Sequence, residues 1–391
     1  MEYVRMPRAQ QRAAQQPDPR APRRAQTGRR RRRRRVSRTL AFTALMLIVA
    51  AGAVLAYLLF FSERERTISM TATPITAGMT KLNTGSGLLY QTEGHIHYYD
   101  WNNQNRNYTE GTATSDIRMS GSASLSVVYT SSMLQIVGQD QPVSFTGEIL
   151  SVECGTEHIA VLRRDSEGGE SILVLTKTGE QADQLLPDDQ YIVDFGFYTT
   201  TGEMLWMQTI SSASGTPTTR ITTYDLQQRT GIGVMQVQDQ LIDGLYFTDR
   251  SVFAVGTSQI IRYTHDGNKE IYREMVYGYK VLDFSAASGT PTFLLAPRDG
   301  DMYAVKLLTL SEGETSEAVE THLQLPSEGV AGYIMNGALV VVAREKLFTY
   351  SLRGNLSSTA TLELPVDEAI KLSDSMLLLL SNGVYYTAKV R

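Results

Sequence analysis

Cysteine occurs once in this chain, at Cys154, and tryptophan twice, at Trp101 and Trp206. A single cysteine excludes an internal disulfide, a cysteine-ligated zinc site and an iron–sulfur cluster. Within the apolar run Leu150–Cys154 it reads as a small buried residue and not as a nucleophile. Catalytic signatures are missing as well. There is no G-x-S-x-G elbow, H-E-x-x-H pair, phosphate-cradling G-x-x-x-x-G-K or EF-hand loop, and no serine has an identifiable base partner. No amphipathic helix of ten or more residues stands out beyond residue 61, which argues against an α/β or all-α fold there. Charge is absent from one long stretch: Thr39–Phe61 runs 23 residues with no ionisable group except Tyr57.

What precedes that stretch is the opposite. Residues 1–38 hold fourteen Arg and no Lys against Glu2 and Asp18, a net charge of +12, and Arg29, Arg30, Arg31, Arg32, Arg33, Arg34 and Arg35 stand in an unbroken row with Arg38 just beyond. The remaining residues carry 23 bases and 39 acids, a net −16, which leaves −4 for the chain. At about 1.5 Å rise per residue the uncharged run reaches roughly 34 Å as a helix, enough for a bilayer core of ~30 Å. A buried core helix is seldom this long and apolar on every face. A cleaved signal peptide would need a shorter apolar region and a small-residue site at its end, where the chain instead reads Tyr57-Leu58-Leu59-Phe60-Phe61-Ser62-Glu63. The expectation is a disordered basic cytoplasmic tail (1–38), a transmembrane signal-anchor helix (39–61) and an extracytoplasmic domain (62–391), oriented by the arginine asymmetry. The arginines then flank the anchor and contact anionic lipid headgroups. They bring no base-reading residues and no interleaved aromatics, so no specific nucleic acid is expected.

From Ser62 onward, runs of four to eight residues rich in Val, Ile, Tyr, Thr and Leu alternate with Gly, Asn, Asp and Ser turns. Examples are Leu88–Gln91, Ile172–Thr176, Ile221–Tyr224, Val252–Val255, Phe293–Ala296, Leu339–Ala343 and Met376–Leu380. An all-β stretch this long, with no linker to split it, points to a repeat. Turns between successive strand pairs fall near Gly94, Ser132, Gly169, Gly215, Ser258, Gly300, Lys346 and Gly383, a mean spacing of about 41 residues. That is the length of a four-stranded propeller blade. The fold expected is an all-β propeller of about eight blades, with seven as the alternative. Asp299-Gly300 and Asn382-Gly383 carry type I′ hairpin chemistry. The last unit has only three strands of its own, Ile370–Ser373, Met376–Leu380 and Val384–Val390. The segment Thr67–Ile75 is expected to supply the fourth, which closes the ring and covers an otherwise open edge.

The run Gly87-Leu88-Leu89-Tyr90, with Gly94-His95-Ile96-His97-Tyr98-Tyr99-Asp100 after it, resembles the strand–turn–strand unit of quinoprotein-like propellers, as does Asp299-Gly300-Asp301-Met302-Tyr303-Ala304-Val305. Thr201-Gly202-Glu203-Met204-Leu205-Trp206 looks like one copy of their tryptophan-docking element. Thr178-Gly179-Glu180 starts a second copy without the tryptophan. A basic tail, one anchor helix and an extracytoplasmic propeller are together similar to a membrane-anchored propeller family of Gram-positive bacteria, a domain of unknown function. The resemblance spans the chain from the anchor onward and implies a propeller held at the cell envelope. Two tryptophans cannot dock regularly around a ring, so no quinone and no other cofactor is expected.

Few residues suggest chemistry. His95 and His97 stand two apart, on one face of a strand, and are the candidates for a metal pair, with Glu93 or Asp100 as a third ligand. Solvated positions on an outer blade strand are the competing reading, and no metal site is expected. His265 precedes Asp266-Gly267 in a turn. Asp165, Glu167, Asp183, Asp188 and Asp189 read as solvated loop acids, with a loose calcium site as the alternative. The 20 tyrosines suit strands by propensity, or else a polar end face for peptide or glycan contact. The sequence therefore leads to a non-enzymatic binding or scaffold module for a protein or cell-wall ligand. The alternatives are a quinoprotein-like oxidoreductase or glycan-active propeller, and a transmembrane sensor that signals through its basic tail.

Overall fold

The structure is a computed structural model that describes residues 42–54 and 66–390, except 104–105, 112–116, 188–189, 200–201, 213–214, 239, 268, 288, 301–302 and 316. It divides into two units, Met1–Arg64 and Glu65–Arg391. In the first, residues 42–54 are α-helical and every one is exposed, Phe42, Leu47 and Ile48 among them. The expected span Thr39–Phe61 runs past both ends of this helix. Its other residues, and the tail with Arg29–Arg35 and Arg38, lie outside the described residues. Among the described residues, no helix is long and apolar enough to cross a membrane.

The second unit is a propeller of eight four-stranded antiparallel sheets among the described residues. Blade 1 starts with Lys81–Asn83, blade 2 with Arg118–Gly121, blade 3 with Glu148–Cys154 and blade 4 with Tyr191–Thr199. Blades 5 to 8 start with Ile242–Phe247, Tyr279–Ser285, Gly329–Met335 and Glu368–Ser373. These first strands approach those of neighbouring blades, as inner strands around a central channel do. The expected repeat register holds. Seven of the eight turn positions read from the sequence lie between the second and third strands of their blades, and the eighth, Lys346, begins a third strand.

The second strands show why the pattern was legible. Ser251–Gly256 is buried at all six positions, and Ala338–Ala343 and Met376–Ser381 nearly so. Each is covered by a neighbouring blade on both faces, so it reads as a continuous apolar run and does not alternate. The core accordingly lies between blades. Ile221 and Met235 of blade 4, for example, pack on Val252, Ala254 and Ile261 of blade 5.

Asn382-Gly383 forms the expected turn, with φ of 49° and 79°, and Asn336-Gly337 forms another with 50° and 73°. Asp299-Gly300 does not. It lies inside the longer connection between Thr292–Pro297 and Ala304–Leu310, and neither residue takes a positive φ.

The ring closes as expected, with a refinement. Met70–Thr76 is the outer strand of blade 8, antiparallel to Val384–Lys389. Arg66–Ile68 instead adds a fifth, parallel strand to Leu356–Leu362 of blade 7, so the chain enters at the rim between the two blades. Pro74 sits where the closing strand loses register, and an edge strand tolerates its missing N–H. There the Thr73 hydroxyl donates to the Tyr385 carbonyl at 2.8 Å in place of a ladder bond.

Candidate functional site

Strand direction sorts the connections into two ends. Each blade's first strand leaves one end and the second returns to it. The second–third turns and the blade-to-blade linkers therefore share an end, here termed the linker end. The closing strand starts and the C-terminal strand finishes at the other end, where Met70 pairs with Ala388 and Val390 bonds to Ser375.

Large apolar side chains left exposed on the propeller collect at the linker end. Leu186 (68% exposed) and Tyr191 (74%) lie at the linker from blade 3 to blade 4, and Leu241 at the next. Met275 and Tyr277 (78%) lie at the linker into blade 6, and Tyr303 on the second–third connection of blade 6. They form an arc over blades 3 to 6. At the opposite end Tyr108, Val319 and Leu356, at or next to the starts of fourth strands, are comparable, one to a blade. Clefts open at the same end. One of about 400 Å³ lies between blades 3 and 4, and two of about 500 and 550 Å³ share Ser327, Gly329 and Val330 at the linker into blade 7.

Five first strands bulge near their starts, at Ile149/Ser151, Ile192/Asp194, Ile242/Gly244, Val281/Asp283 and Gly329/Ala331. A bulge bends the strand and redirects side chains, here beside the channel. Several inner-strand charges have partners. The Lys371 ammonium lies 3.0 Å from Asp283 and 3.4 Å from Asp374, and it donates to the Ile334 carbonyl at 2.7 Å. Arg298 pairs with Asp243. Arg118 donates to the carbonyls of Ile149 and Leu150 at 2.7 and 2.6 Å.

Glu153 and Asp194, on the first strands of blades 3 and 4, have no ion pair among the described residues. Both side chains are exposed, yet the neighbouring protein still desolvates them in part. Burial, with repulsion from Asp194, pushes the Glu153 carboxyl up to about 7. Burial raises Asp194 as well. Glu203 goes the other way. Burial opposes its charge, but hydrogen bonds from His158 (2.7 Å), Thr156 and the Glu157 amide outweigh that and hold its carboxyl below the usual range. It thereby staples blade 4 to blade 3.

The Glu153 shift fixes a pH dependence. A carboxyl whose folded pKa lies above its ordinary 4.5 gives stability that is whole below that value and is lost as pH rises through about 7. Glu153→Gln is expected to match the wild-type melting temperature at pH 4 and to exceed it at pH 8. Thermal melts of both proteins across that range check this, and parallel curves would contradict it.

The residues singled out in the sequence are placed as follows. His95 and His97 lie on the third strand of blade 1, their rings 6.3 Å apart. Both His97 nitrogens are engaged by hydroxyls, Nε2 with Thr92 (2.6 Å) and Nδ1 with Thr109 (2.9 Å), and the ring stacks on Tyr90. Burial, then the neighbouring His95, lowers its pKa. Among the described residues no group of three His, Cys, Asp or Glu side chains is arranged to hold a metal. Burial pushes the Cys154 thiol up to about 12, away from thiolate chemistry. Trp206 does dock between blades, over Gly196 and stacked on Phe247 of blade 5. Asp165 caps its own turn through the amides of Glu167 and Gly169. Asp188 and Asp189 lie outside the described residues. The exposed arc was missed, although apolar residues inside turn-like segments, as in Leu185-Leu186-Pro187 and Val276-Tyr277-Gly278, were a usable signal.

No known protein family's sequence model matches the chain, and no curated protein matches it. Solved structures match over most of its length at low identity. BamB from Moraxella catarrhalis is 14% identical, with 82% of this chain and 100% of that one covered and a TM-score of 0.50. The WD40 domain of SCAP from fission yeast is 9% identical, over 82% and 97%, with a TM-score of 0.54. The computationally designed protein Ika8 is 10% identical, over 83% and 99%, also with a TM-score of 0.54. What the chain shares with them is the propeller fold.

Proposed function

We propose that this chain is a single-pass membrane protein whose propeller stands outside the cytoplasm and acts as a binding or scaffold module at the cell envelope. The observation that carries the binding role is the arc of exposed Leu, Tyr and Met side chains along the linker end of blades 3 to 6. Tyrosine and methionine are enriched in protein interfaces, and exposed apolar side chains gathered at one end suit a partner that covers them. The chain enters the ring through Arg66–Ile68 against blade 7, outside the blades that carry the arc. The anchor is supported by the helix at residues 42–54, whose apolar side chains are exposed all round, and by the arginine asymmetry.

Photoreactive amino acids placed at Tyr277 and Tyr191 in intact cells are expected to capture one partner protein in near-stoichiometric yield. The same label at Tyr108, at the opposite end, should capture none. Equal labelling from both ends, or none from Tyr277 and Tyr191, would remove the basis for the reading.

A further inference from the structure

The strands of blades 3 and 4 differ in length. Blade 4 has strands of nine, nine, eight and eight residues, whereas the outer strand of blade 3, Gln181–Leu185, has five. The face that blade 4 turns toward blade 3 therefore outruns its cover, and a cleft of about 400 Å³ opens there. That volume lies in the ordinary range for small-molecule sites, about 300–1,000 Å³.

Three rows of paired residues make up its floor. Leu205 stands opposite Tyr224, Met207 opposite Thr222, and Thr209 opposite Arg220. Leu185, Leu186 and Pro187 form the apolar wall on the blade 3 side. At one end the Tyr224 hydroxyl donates to Asp183 at 2.6 Å. At the other end Arg220 makes no ion pair and donates no side-chain hydrogen bond among the described residues, and its Nε is buried without a partner. Four residues along the strand, about 13 Å, separate Arg220 from Tyr224, so the acid at that end does not neutralise it. The Thr209 hydroxyl beside Arg220 is already spent on Gln190.

We infer that this cleft binds a small organic carboxylate, its anion held by the Arg220 guanidinium and its apolar body lying over Met207 and against Leu185 and Leu186. The guanidinium is a planar fork matched to a carboxylate. A buried N–H without an acceptor is stabilised when a ligand brings one. The cleft adjoins the exposed arc at Leu186. Its ligand is a small molecule, so the cross-linking result above neither supports nor weakens it.

The probe is octanoate, titrated into the full-length protein in detergent and followed by calorimetry, with octanamide as the uncharged control. Octanoate should bind at least about tenfold more tightly than octanamide, and Arg220→Gln should erase that difference with the melting temperature held. Arg220→Lys should keep part of it, since charge remains but the fork does not. Thr222→Phe, which fills the cleft and leaves the charge in place, should block octanoate and serves if Arg220→Gln fails to fold. Equal affinity for acid and amide, undiminished binding by either blocking variant, or no octanoate binding up to about 10 mM would overturn the assignment.

Discussion

A chain that begins at residue 77 is expected to aggregate instead of folding to a stable propeller. The strand it loses, Met70–Thr76, is remote in sequence from the blade it completes, yet it covers the third strand of that blade. Ile75 is fully buried among Leu88, Tyr99, Leu378 and Tyr385, and Met70 packs with Leu377 and Ala388. Without this strand, Val384–Lys389 becomes an open edge beside exposed apolar side chains, the combination that templates pairing with other chains. Ring closure also joins the last blade to the first, so the loss reaches both interfaces of blade 8. Ile75→Ala tests the same contact gently. A fully buried isoleucine cut to alanine costs about 2–5 kcal/mol. Thr71→Ala, at an exposed position of the same strand, should cost little. Denaturant unfolding of the three chains decides the matter. A soluble, cooperatively unfolding chain from residue 77, or Ile75→Ala no worse than Thr71→Ala, would show that the ring does not need this closure.

How much of this could be read in advance follows from which strands are covered on both faces. Val252–Val255, Leu339–Ala343 and Met376–Leu380 are second strands, buried between neighbouring blades, and their continuous apolar runs gave the repeat its phase. Glycine-bearing turns between second and third strands supplied the spacing, and the missing fourth strand of blade 8 pointed back to the segment after residue 66. First and fourth strands were faint. Lys81–Asn83 and Val143–Ser144 are only three and two residues long, and bulges interrupt the alternation in most inner strands. The split of the closing segment into a parallel Arg66–Ile68 and an antiparallel Met70–Thr76 depends on a contact with blade 7 that no local pattern carries. Site features were harder still. The isolation of Arg220 arises from a mismatch in strand length between two blades, and the raised Glu153 carboxyl from burial, with repulsion from an Asp194 some forty residues away. The histidine pair was visible at once, but the ring nitrogens of His97 are engaged by Thr92 and Thr109, positions that only the sheet register brings together.

The second large effect concerns location. Twelve strongly apolar residues between Leu40 and Phe61, at roughly −0.3 to −0.6 kcal/mol each, contribute about −5 kcal/mol toward insertion. Among the described residues of its unit nothing covers Phe42, Leu45, Leu47 and Ile48 of this helix in place of lipid. The proposed role rests on that anchor and on its direction, because a partner at the envelope can meet the exposed arc only if the propeller is outside. Trypsin added to intact cells is the most direct measurement, since Arg64 precedes Arg66–Ile68, the first strand of the ring, in sequence. The account predicts that the propeller is released into the medium as a folded fragment while the arginine-rich tail stays protected inside. Full-length protein surviving trypsin on intact cells, yet cut once the membrane is permeabilised, would contradict it.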